Sequence, residues 1–376
     1  MTNNGRDNKF ILFTLEFPPQ KGGVSKYYFN LVNHWPGSDI VVLADGVAQE
    51  GDASNVVRRK LLFRYIFPRW LLSVYQLLVA IVQYKPSHVI VGQVLPLGIA
   101  SFIVSKFFKI KYSVILHGMD FSLAIKKKKA VQKILTACEN IICANSYTAS
   151  ELKSVFHELA DKVVVVNPGI EPSLIRNPQK IEELKKKYDL FGKKVVFSMG
   201  RLVKRKGVDR VIKAMKEVLL VKNDAVLVVG GTGPYEDVLK SIAQEAGVDS
   251  DKIIFLGFID DAEYWAWLEL CDIFIMTSRN IDGDYEGFGI VYLEANLAGK
   301  PVIAGDSGGV RDAVMNNVNG LLVNPEDNKE IAAAILRLLN DEKLCHNLGS
   351  VGNRRVVEIM SAKKQAEKIY SKLAVK

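Results

Sequence analysis

Lys193-Lys194-Val195-Val196-Phe197-Ser198-Met199-Gly200 is a short β-branched run closed by glycine, placed just past the middle of a chain that has already used the same pattern several times. Upstream stand KFILFTL (9–15), DIVVLA (39–44), HVIVGQ (88–93), KYSVILHG (111–118), NIICANS (140–146) and KVVVVNPG (162–169). Downstream follow AVLVVGG (225–231), KIIFLGF (252–258), IFIMTS (273–278), PVIAG (301–305) and GLLVN (320–324). Each run has the length and composition of a buried strand, and the segments between them, such as 101–108 and 146–156, read as helices. Strands alternating with helices form a parallel, doubly wound sheet. Because the pattern restarts at residue 193, two such α/β domains are expected: a Rossmann-like domain over 1–170, a second over 185–352, and a closing helix at 353–376 that crosses back to the first. The join falls near residues 168–185.

Composition limits what a motif can mean. The chain has 376 residues, 49% of them hydrophobic and only 12 of them proline, enough for roughly two domains with full cores. Its longest uncharged apolar stretches are 70–84, too short to span a bilayer, and 86–105, interrupted by Pro86, His88, Gly92, Pro96 and Gly98. No transmembrane helix is expected. The opening MTNNGRDNKF lacks the basic segment, apolar core and cleavage site of a leader, so a cytoplasmic protein is expected. Cys138, Cys143, Cys271 and Cys345 show no Cys-x-x-Cys spacing and read as buried thiols, not as disulfides or metal ligands.

The net charge of +9 is unevenly distributed. Residues 1–165 hold 20 of the 50 Lys and Arg and 11 of the 41 Asp and Glu, which is +9, and the remainder balances at 30 of each. An anionic partner for the first half, a membrane surface or a nucleic acid, is one reading of this asymmetry; a solvated basic face is the other. No nucleic-acid module or interleaving of aromatic and basic residues accompanies it, and no nucleic-acid partner is expected.

In open parallel sheets ligands bind beyond the carboxyl ends of the strands. After the first strand, Gly22-Gly23 opens a helix and can bring backbone N–H groups to an anion, although taken alone the pair reads better as a plain tight turn. After the fifth comes His117-Gly118-Met119-Asp120. After VVFSMG comes Arg201-Leu202-Val203-Lys204-Arg205-Lys206-Gly207, with two cations fixed on one loop. The most informative stretch is Glu286-Gly287-Phe288-Gly289-Ile290-Val291-Tyr292-Leu293-Glu294. Its glycines free the backbone at a helix start, whose N–H groups and dipole suit a phosphate. Counting about 1.5 Å per helical residue separates the two carboxylates by roughly 8 to 12 Å, too far for a pair flanking one bond but suited to a sugar at one end and a ribose at the other.

Taken in order, FPPQKGG, HGMD, NPGIEP, GRLVKRKGVDRVIKAM, VVGGTGP, FLGFIDDAEYWAWLELCDIF, EGFGIVYLEA and GKPVIAGDSGGVRDAV resemble glycosyltransferase family four, the group one glycosyltransferases, over nearly the whole chain. Arg-x4-Lys-Gly followed by Glu-x7-Glu is the specific element, and FPPxxGG, the loop at 280–285 and GIVYLEA resemble the bacterial phosphatidylinositol mannosyltransferases most. The resemblance implies the GT-B fold, two Rossmann-like domains facing each other across a cleft, and a retaining transfer of a hexose, mannose favoured, from a GDP- or UDP-linked donor to a hydroxyl of a lipid-linked or cell-envelope glycan.

The same resemblance implies residue roles. Arg201 and Lys206 hold the donor diphosphate, with Gly200 and Gly233 beside them; the backbone of Gly287, Phe288, Gly289, Ile290 and Val291 holds the distal phosphate and sugar. Glu286 binds sugar hydroxyls, Glu294 the ribose, and the backbone at Phe258 and Ile259 the base. Gly22 and Gly23 close over the donor from the other domain, and His117 lies near the transferred sugar. No metal or other cofactor is required, since the two cations replace one, and the sequence is read as showing no Asp-x-Asp metal motif of the kind used by the other large transferase fold. In this fold the acceptor side is the N-terminal domain, here the basic one. Arg58, Arg59, Lys60, Arg64 and Arg69 precede Trp70-Leu71-Leu72, and Lys126, Lys127, Lys128 and Lys129 form a second block. Peripheral binding to the anionic inner face of the cytoplasmic membrane is therefore expected, with Trp70 as an inserted group. A dinucleotide-dependent dehydrogenase lacks its Gly-x-Gly-x-x-Gly after a first strand; an epimerase or phosphorylase of the same fold remains an alternative.

Overall fold

The computed structural model describes residues 9–20, 22–37, 39–173, 176–249 and 251–374. The leader-free N-terminus expected above, at residues 1–8, and Lys21 lie outside them. The chain divides into two compact units, residues 1–171 with 362–376, and residues 172–361.

The first unit runs β1 (Phe10–Thr14), α1 (Gly23–Asn33), β2 (Ile40–Asp45), β3 (Val56–Arg59), α2 (Leu71–Tyr84), β4 (His88–Val91), α3 (Leu97–Phe108), β5 (Lys111–Leu116), α4 (Met119–Ala124), α5 (Lys128–Ala137), β6 (Ile141–Cys143), α6 (Ser146–Val155) and β7 (Val163–Val165). Its seven strands lie in the order β3-β2-β1-β4-β5-β6-β7, and every pairing is parallel. Side chains alternate between faces along β1. Ile11 and Phe13 join the core under α2, α3, α5 and α6, while Phe10 and Leu12 face the other layer with Tyr27, Tyr28 and Trp35. Each such fully buried Ile, Leu or Phe contributes about 1.5 to 3 kcal/mol. Helix α6 starts where Asn145 Oδ1 accepts the Thr148 N–H at 2.7 Å, a side-chain cap on an otherwise orphaned donor.

The second unit runs α7 (Pro178–Lys187), β8 (Lys194–Met199), α8 (Val208–Val221), β9 (Ala225–Gly230), α9 (Glu236–Glu245), β10 (Ile253–Gly257), α10 (Asp261–Leu270), β11 (Ile273–Met276), α11 (Ile290–Leu297), β12 (Val302–Gly305), α12 (Val310–Ala313), β13 (Gly320–Val323), α13 (Asn328–Asn340) and α14 (Glu342–Glu358). Its parallel order is β10-β9-β8-β11-β12-β13. One face packs aliphatic side chains under α8, α9 and α13. The other is aromatic: Phe197 stacks on Trp267 at 5.9 Å and meets Phe274 edge-on at 6.0 Å.

The quoted strand runs all form strands, and both sheets are doubly wound as expected. Two details differ. Strand β3 went unread, because Val56-Val57-Arg58-Arg59 is short and half charged. The boundary expected at 352/353 falls inside α14, whose Leu348 is fully buried in the second unit's core. The segment that returns to the first unit is a separate helix, α15 (Ala362–Ala374), whose Tyr370 ring packs 5.7 Å from Phe10 and 5.5 Å from Trp35. Ala362 N–H also donates to the Ile170 carbonyl at 2.8 Å.

Candidate functional site

In each sheet the strand order reverses beside the first strand of the unit, between β1 and β4 and between β8 and β11. Crevices open at such reversals, beyond the carboxyl ends of the strands. Most of the donor-site residues singled out from the sequence follow these strands or their immediate neighbours; Phe258 and Ile259 follow β10, one strand further out.

In the second unit, β8 delivers Gly200 and Arg201, and a single 3-10 turn then spans Lys204–Lys206 before Gly207. Gly207 has φ 75°, and a Cβ there would overlap the Thr277 carbonyl oxygen. The Thr277 hydroxyl donates to the Gly207 carbonyl at 2.9 Å, and the Arg279 N–H to the Arg205 carbonyl at 2.9 Å. The segment after β11 therefore braces the cationic turn. Beneath it the buried Arg279 guanidinium donates to both Asp209 carboxylate oxygens, at 3.0 and 3.1 Å.

The turn presents its two expected cations differently. Arg201 is exposed and its side chain makes no hydrogen bond or ion pair with a described residue. Lys206 Nζ lies 2.5 Å from Glu286 Oε2. The same oxygen accepts from Arg205 Nη1 at 2.8 Å and from the Ser278 hydroxyl at 3.3 Å, and Arg205 Nε forms a further ion pair with Asp284 Oδ1 at 3.0 Å. Burial would push the Glu286 carboxyl up, but Lys206 and Arg205 outweigh it and hold it down to about 2. Arg205, Ser278 and Asp284 went unread in the sequence; the loop at 280–285 had been noted, without a partner.

Glu286 precedes α11, which begins at Ile290 with Gly289 as its cap at φ 83°. The cap offers no side chain, so the first N–H groups of the helix, among them those of Ile290 and Val291, lack intrahelical partners and keep the anion-favouring end of the dipole. Gly287 lies between Glu286 and the buried Phe288. Glu294 sits in the second turn, buried, and its Oε2 accepts from the Tyr264 hydroxyl at 2.7 Å. Phe258 and the buried Ile259 follow β10. A Cβ at Gly231 would overlap the Gly200 carbonyl oxygen, and one at Gly233 the Leu202 carbonyl oxygen. Gly233 is thus needed for close packing of two loops whether or not it touches a ligand. The sequence does hold the Asp-x-Asp spacing, at Asp249/Asp251 and at Asp282/Asp284, contrary to the reading above; Asp251 pairs with Lys252 and Asp284 with Arg205, and no group of three metal-ligating side chains occurs among the described residues.

In the first unit, Gly22 and Gly23 are exposed at the start of α1, and a Cβ on either would meet nothing within 4 Å. Packing within the unit does not require them. His117 follows β5 and lies edge-on against Tyr27 and Tyr28, at 4.9 and 5.3 Å. Its Nε2 is 2.8 Å from the Tyr28 oxygen, and the Tyr28 hydroxyl donates to the Gly92 carbonyl at 2.6 Å. The Tyr28 proton being so used, Nε2 must carry the ring proton and Nδ1 the lone pair. Burial holds the imidazole down to about 4, so it is neutral at physiological pH. Asp120 Oδ1 accepts the N–H groups of His117 and Gly118 at 2.9 and 3.0 Å, and burial pushes its carboxyl up to about 6.

The basic residues of this unit separate into two sets. Arg58 is a correction to the expected surface: its buried guanidinium is bound to Asp52 and the Pro18 carbonyl. Arg59 is half-buried against Gln76 and Gln83 of α2. Lys60, Arg64, Arg69 and all four of Lys126, Lys127, Lys128 and Lys129 are exposed. Trp70 is half-buried at the start of α2. The aromatic groups that stand out are Tyr65 and Phe67, 85% and 87% exposed, with Arg64 over the Tyr65 ring at 5.1 Å. No helix among the described residues is long and apolar enough to cross a membrane, and the four cysteines are unpaired.

The family description Glycosyltransferase Family 4 matches residues 21–174, and Glycosyl transferases group 1 matches residues 180–355. The chain belongs to glycosyltransferase family four. It is 29% identical over 363 residues, 93% of this chain and 94% of the other, to the GDP-mannose-dependent alpha-(1-6)-phosphatidylinositol monomannoside mannosyltransferase of Mycobacterium tuberculosis (strain CDC 1551 / Oshkosh). It is 28% identical, over 93% of each chain, to the GDP-mannose-dependent monoacylated alpha-(1-6)-phosphatidylinositol monomannoside mannosyltransferase of Corynebacterium glutamicum. The solved structure of Anabaena HepE in complex with UDP superimposes with a TM-score of 0.80 over 97% of this chain and 99% of that one, at 18% identity. The fold of this family four glycosyltransferase is GT-B.

Proposed function

We propose that this glycosyltransferase moves a hexose, with mannose preferred, from a nucleoside-diphosphate sugar to a hydroxyl of a lipid-linked or cell-envelope glycan, retaining the anomeric configuration. The observation that carries the donor half is the gathering of Lys206, Arg205 and Glu286 just before the uncapped start of α11. Lys206 and free backbone N–H groups together suit a diphosphate, and a carboxylate held ionised beside them suits sugar hydroxyls. The GDP-mannose-dependent relatives favour GDP-mannose; the UDP complex of a structural neighbour keeps UDP-linked hexoses in the comparison.

As the bond between the anomeric carbon and the phosphate oxygen breaks, negative charge grows on the departing diphosphate. Arg201, Lys206 and the N–H groups of Ile290 and Val291 receive it. The acceptor oxygen bonds to the anomeric carbon on the same face, and its proton passes to the leaving phosphate oxygen. Glu286 binds sugar hydroxyls and is not the nucleophile. Neutral His117 supplies a hydrogen-bond acceptor at Nδ1 near the sugar, Glu294 holds the ribose, and the backbone at Phe258 and Ile259 contacts the base. Gly22 and Gly23 leave room for the donor at the start of α1. No metal takes part.

The acceptor half rests on the first unit. Lys60, Arg64, Arg69 and the lysines at 126–129 attract anionic headgroups, each worth roughly 1 kcal/mol near a membrane surface, while Tyr65 and Phe67 enter the interface. The enzyme then works as a peripheral protein on the cytoplasmic face. Incubation with radiolabelled GDP-mannose, UDP-glucose and UDP-galactose, with and without a lipid extract, tests both halves. Lipid-extractable label from GDP-mannose, with the donor's anomeric configuration seen by NMR, is the expected result; free nucleotide with no glycosylated product, or an inverted linkage, refutes it.

A further inference from the structure

Glu286 carries an asymmetry that gives Arg205 a role of its own. All three of its donors, from Lys206, Arg205 and Ser278, converge on Oε2, and no described residue hydrogen-bonds Oε1. Lys206 therefore rests on a carboxylate, and any phosphate that uses Lys206 must take it from Glu286. Stripping a nearly buried carboxylate of its partner is strongly unfavourable, so a site with Lys206 alone would resist its own ligand. Arg205 removes that obstacle. Its guanidinium donates to Oε2 through Nη1 and forms an ion pair, without a hydrogen bond from Nε, with the half-exposed Asp284. Its main-chain carbonyl is fixed by the N–H of Arg279, a residue itself clamped to Asp209. Lys206, by contrast, is a point charge on a flexible stem that can swing from one anion to another.

We infer that Arg205 is a positioning residue that keeps Glu286 charged and oriented while Lys206 transfers from Glu286 to the donor diphosphate, and that Arg205 itself does not ligate the phosphate. The inference rests on the donor site proposed above. It also makes Glu286 a competitor for Lys206, so that the carboxylate weakens binding of a bare nucleoside diphosphate even though the sugar needs it.

Calorimetric titration of GDP and of UDP into the wild type, Glu286→Gln, Arg205→Gln and the double variant tests this. Glu286→Gln should bind about tenfold tighter, the loss of one charge-assisted bond to Lys206. Arg205→Gln should bind more weakly, because Glu286 then keeps Lys206 as its one cation, with only the neutral Ser278 hydroxyl beside it, and the double variant should match Glu286→Gln. The cycle isolates the coupling: an equal loss from Arg205→Gln in both backgrounds makes Arg205 a phosphate ligand and overturns the inference. A second readout is the acid limb of kcat/KM, which should rise in pH in Arg205→Gln and return in Arg205→Lys; an unmoved limb also overturns it. If the wild type binds neither nucleotide, the donor site fails and this inference with it, whereas binding with additive losses overturns the inference alone.

Discussion

Arg201 and Lys206 leave one braced turn in opposite electrostatic states: Arg201 is exposed with no side-chain partner among the described residues, while Lys206 lies 2.5 Å from the Glu286 carboxylate. The two cations should therefore behave alike in catalysis and differently in stability. Arg201→Ala and Lys206→Ala should each lower transfer about a hundredfold or more, as loss of one charge-assisted stabiliser does. Thermal unfolding of Arg201→Ala should match the wild type, and that of Lys206→Ala should shift downward because Glu286 keeps one cation fewer. Near-normal turnover by either variant would remove it from the donor site.

The acid range should show two losses of stability, the upper one shared by His117 and His88 and opposed by Asp120, whose raised carboxyl gains stability as pH falls below about 6. The His117 imidazole, held down to about 4 by burial, is protonated in the unfolded chain first; its contribution is complete above about 6.5 and disappears as pH falls through 4. Glu286, held down to about 2 against an ordinary 4.5, contributes fully above 4.5 and loses that contribution as pH falls toward 2. The second loss is on the order of 3 kcal/mol. Denaturant unfolding at fixed pH values should lose this lower step in Glu286→Gln and keep the upper one. An imidazole that titrates near 6.5 by NMR would contradict the burial of His117.

Transfer should survive an excess of EDTA. Side-chain cations and the start of α11 are proposed to neutralise the diphosphate, and neither is removed by a chelator. Loss of activity that added magnesium restores would require a metal in the donor site.

Vesicle co-sedimentation should require anionic lipid and weaken as salt rises. Replacing Lys126, Lys127, Lys128 and Lys129 by Gln should reduce it, and Tyr65→Ser with Phe67→Ser should reduce it further. Arg58→Gln, which removes a guanidinium already bound to Asp52, should instead lower the melting temperature. Equal binding to neutral and anionic vesicles would leave a soluble acceptor as the better reading.

Gly231→Ala should destabilise the second unit and weaken nucleotide binding together. The added Cβ meets the Gly200 carbonyl at a position with φ 110°, so both sterics and backbone conformation oppose it. Circular dichroism melts of the variant check this; an unchanged melt would mean that the two loops separate freely.

The sheets were legible because buried parallel strands read as unbroken apolar runs, and Val195 to Phe197 or Val226 to Val229 can scarcely be anything else. β3 escaped because an edge strand carries its charges where a central strand cannot. The glycines at 287 and 289 stood out by local spacing, whereas Arg201 and Lys206 read alone as a solvated basic loop and drew attention only through the family resemblance. Arg205 was not legible, since its partners Asp284 and Glu286 are some eighty positions away, and only the reversal between β8 and β11 brings them to one turn. Arg58 misled for the same reason: a basic run looks solvated until Asp52 and Pro18 are folded over it.

The return of α15 means that the first unit is written in two pieces with the second unit inserted between them. During synthesis β1 and α1 emerge first, yet the layer formed by Phe10 and Trp35 stays open until Tyr370 follows some 330 residues later. The unit made first is thus completed last, after the inserted one has had its whole sequence available for folding. A first unit expressed by itself would have to carry residues 362–374 grafted after Glu171, and a nonsense change near residue 360 would damage the end of the molecule that was translated earliest.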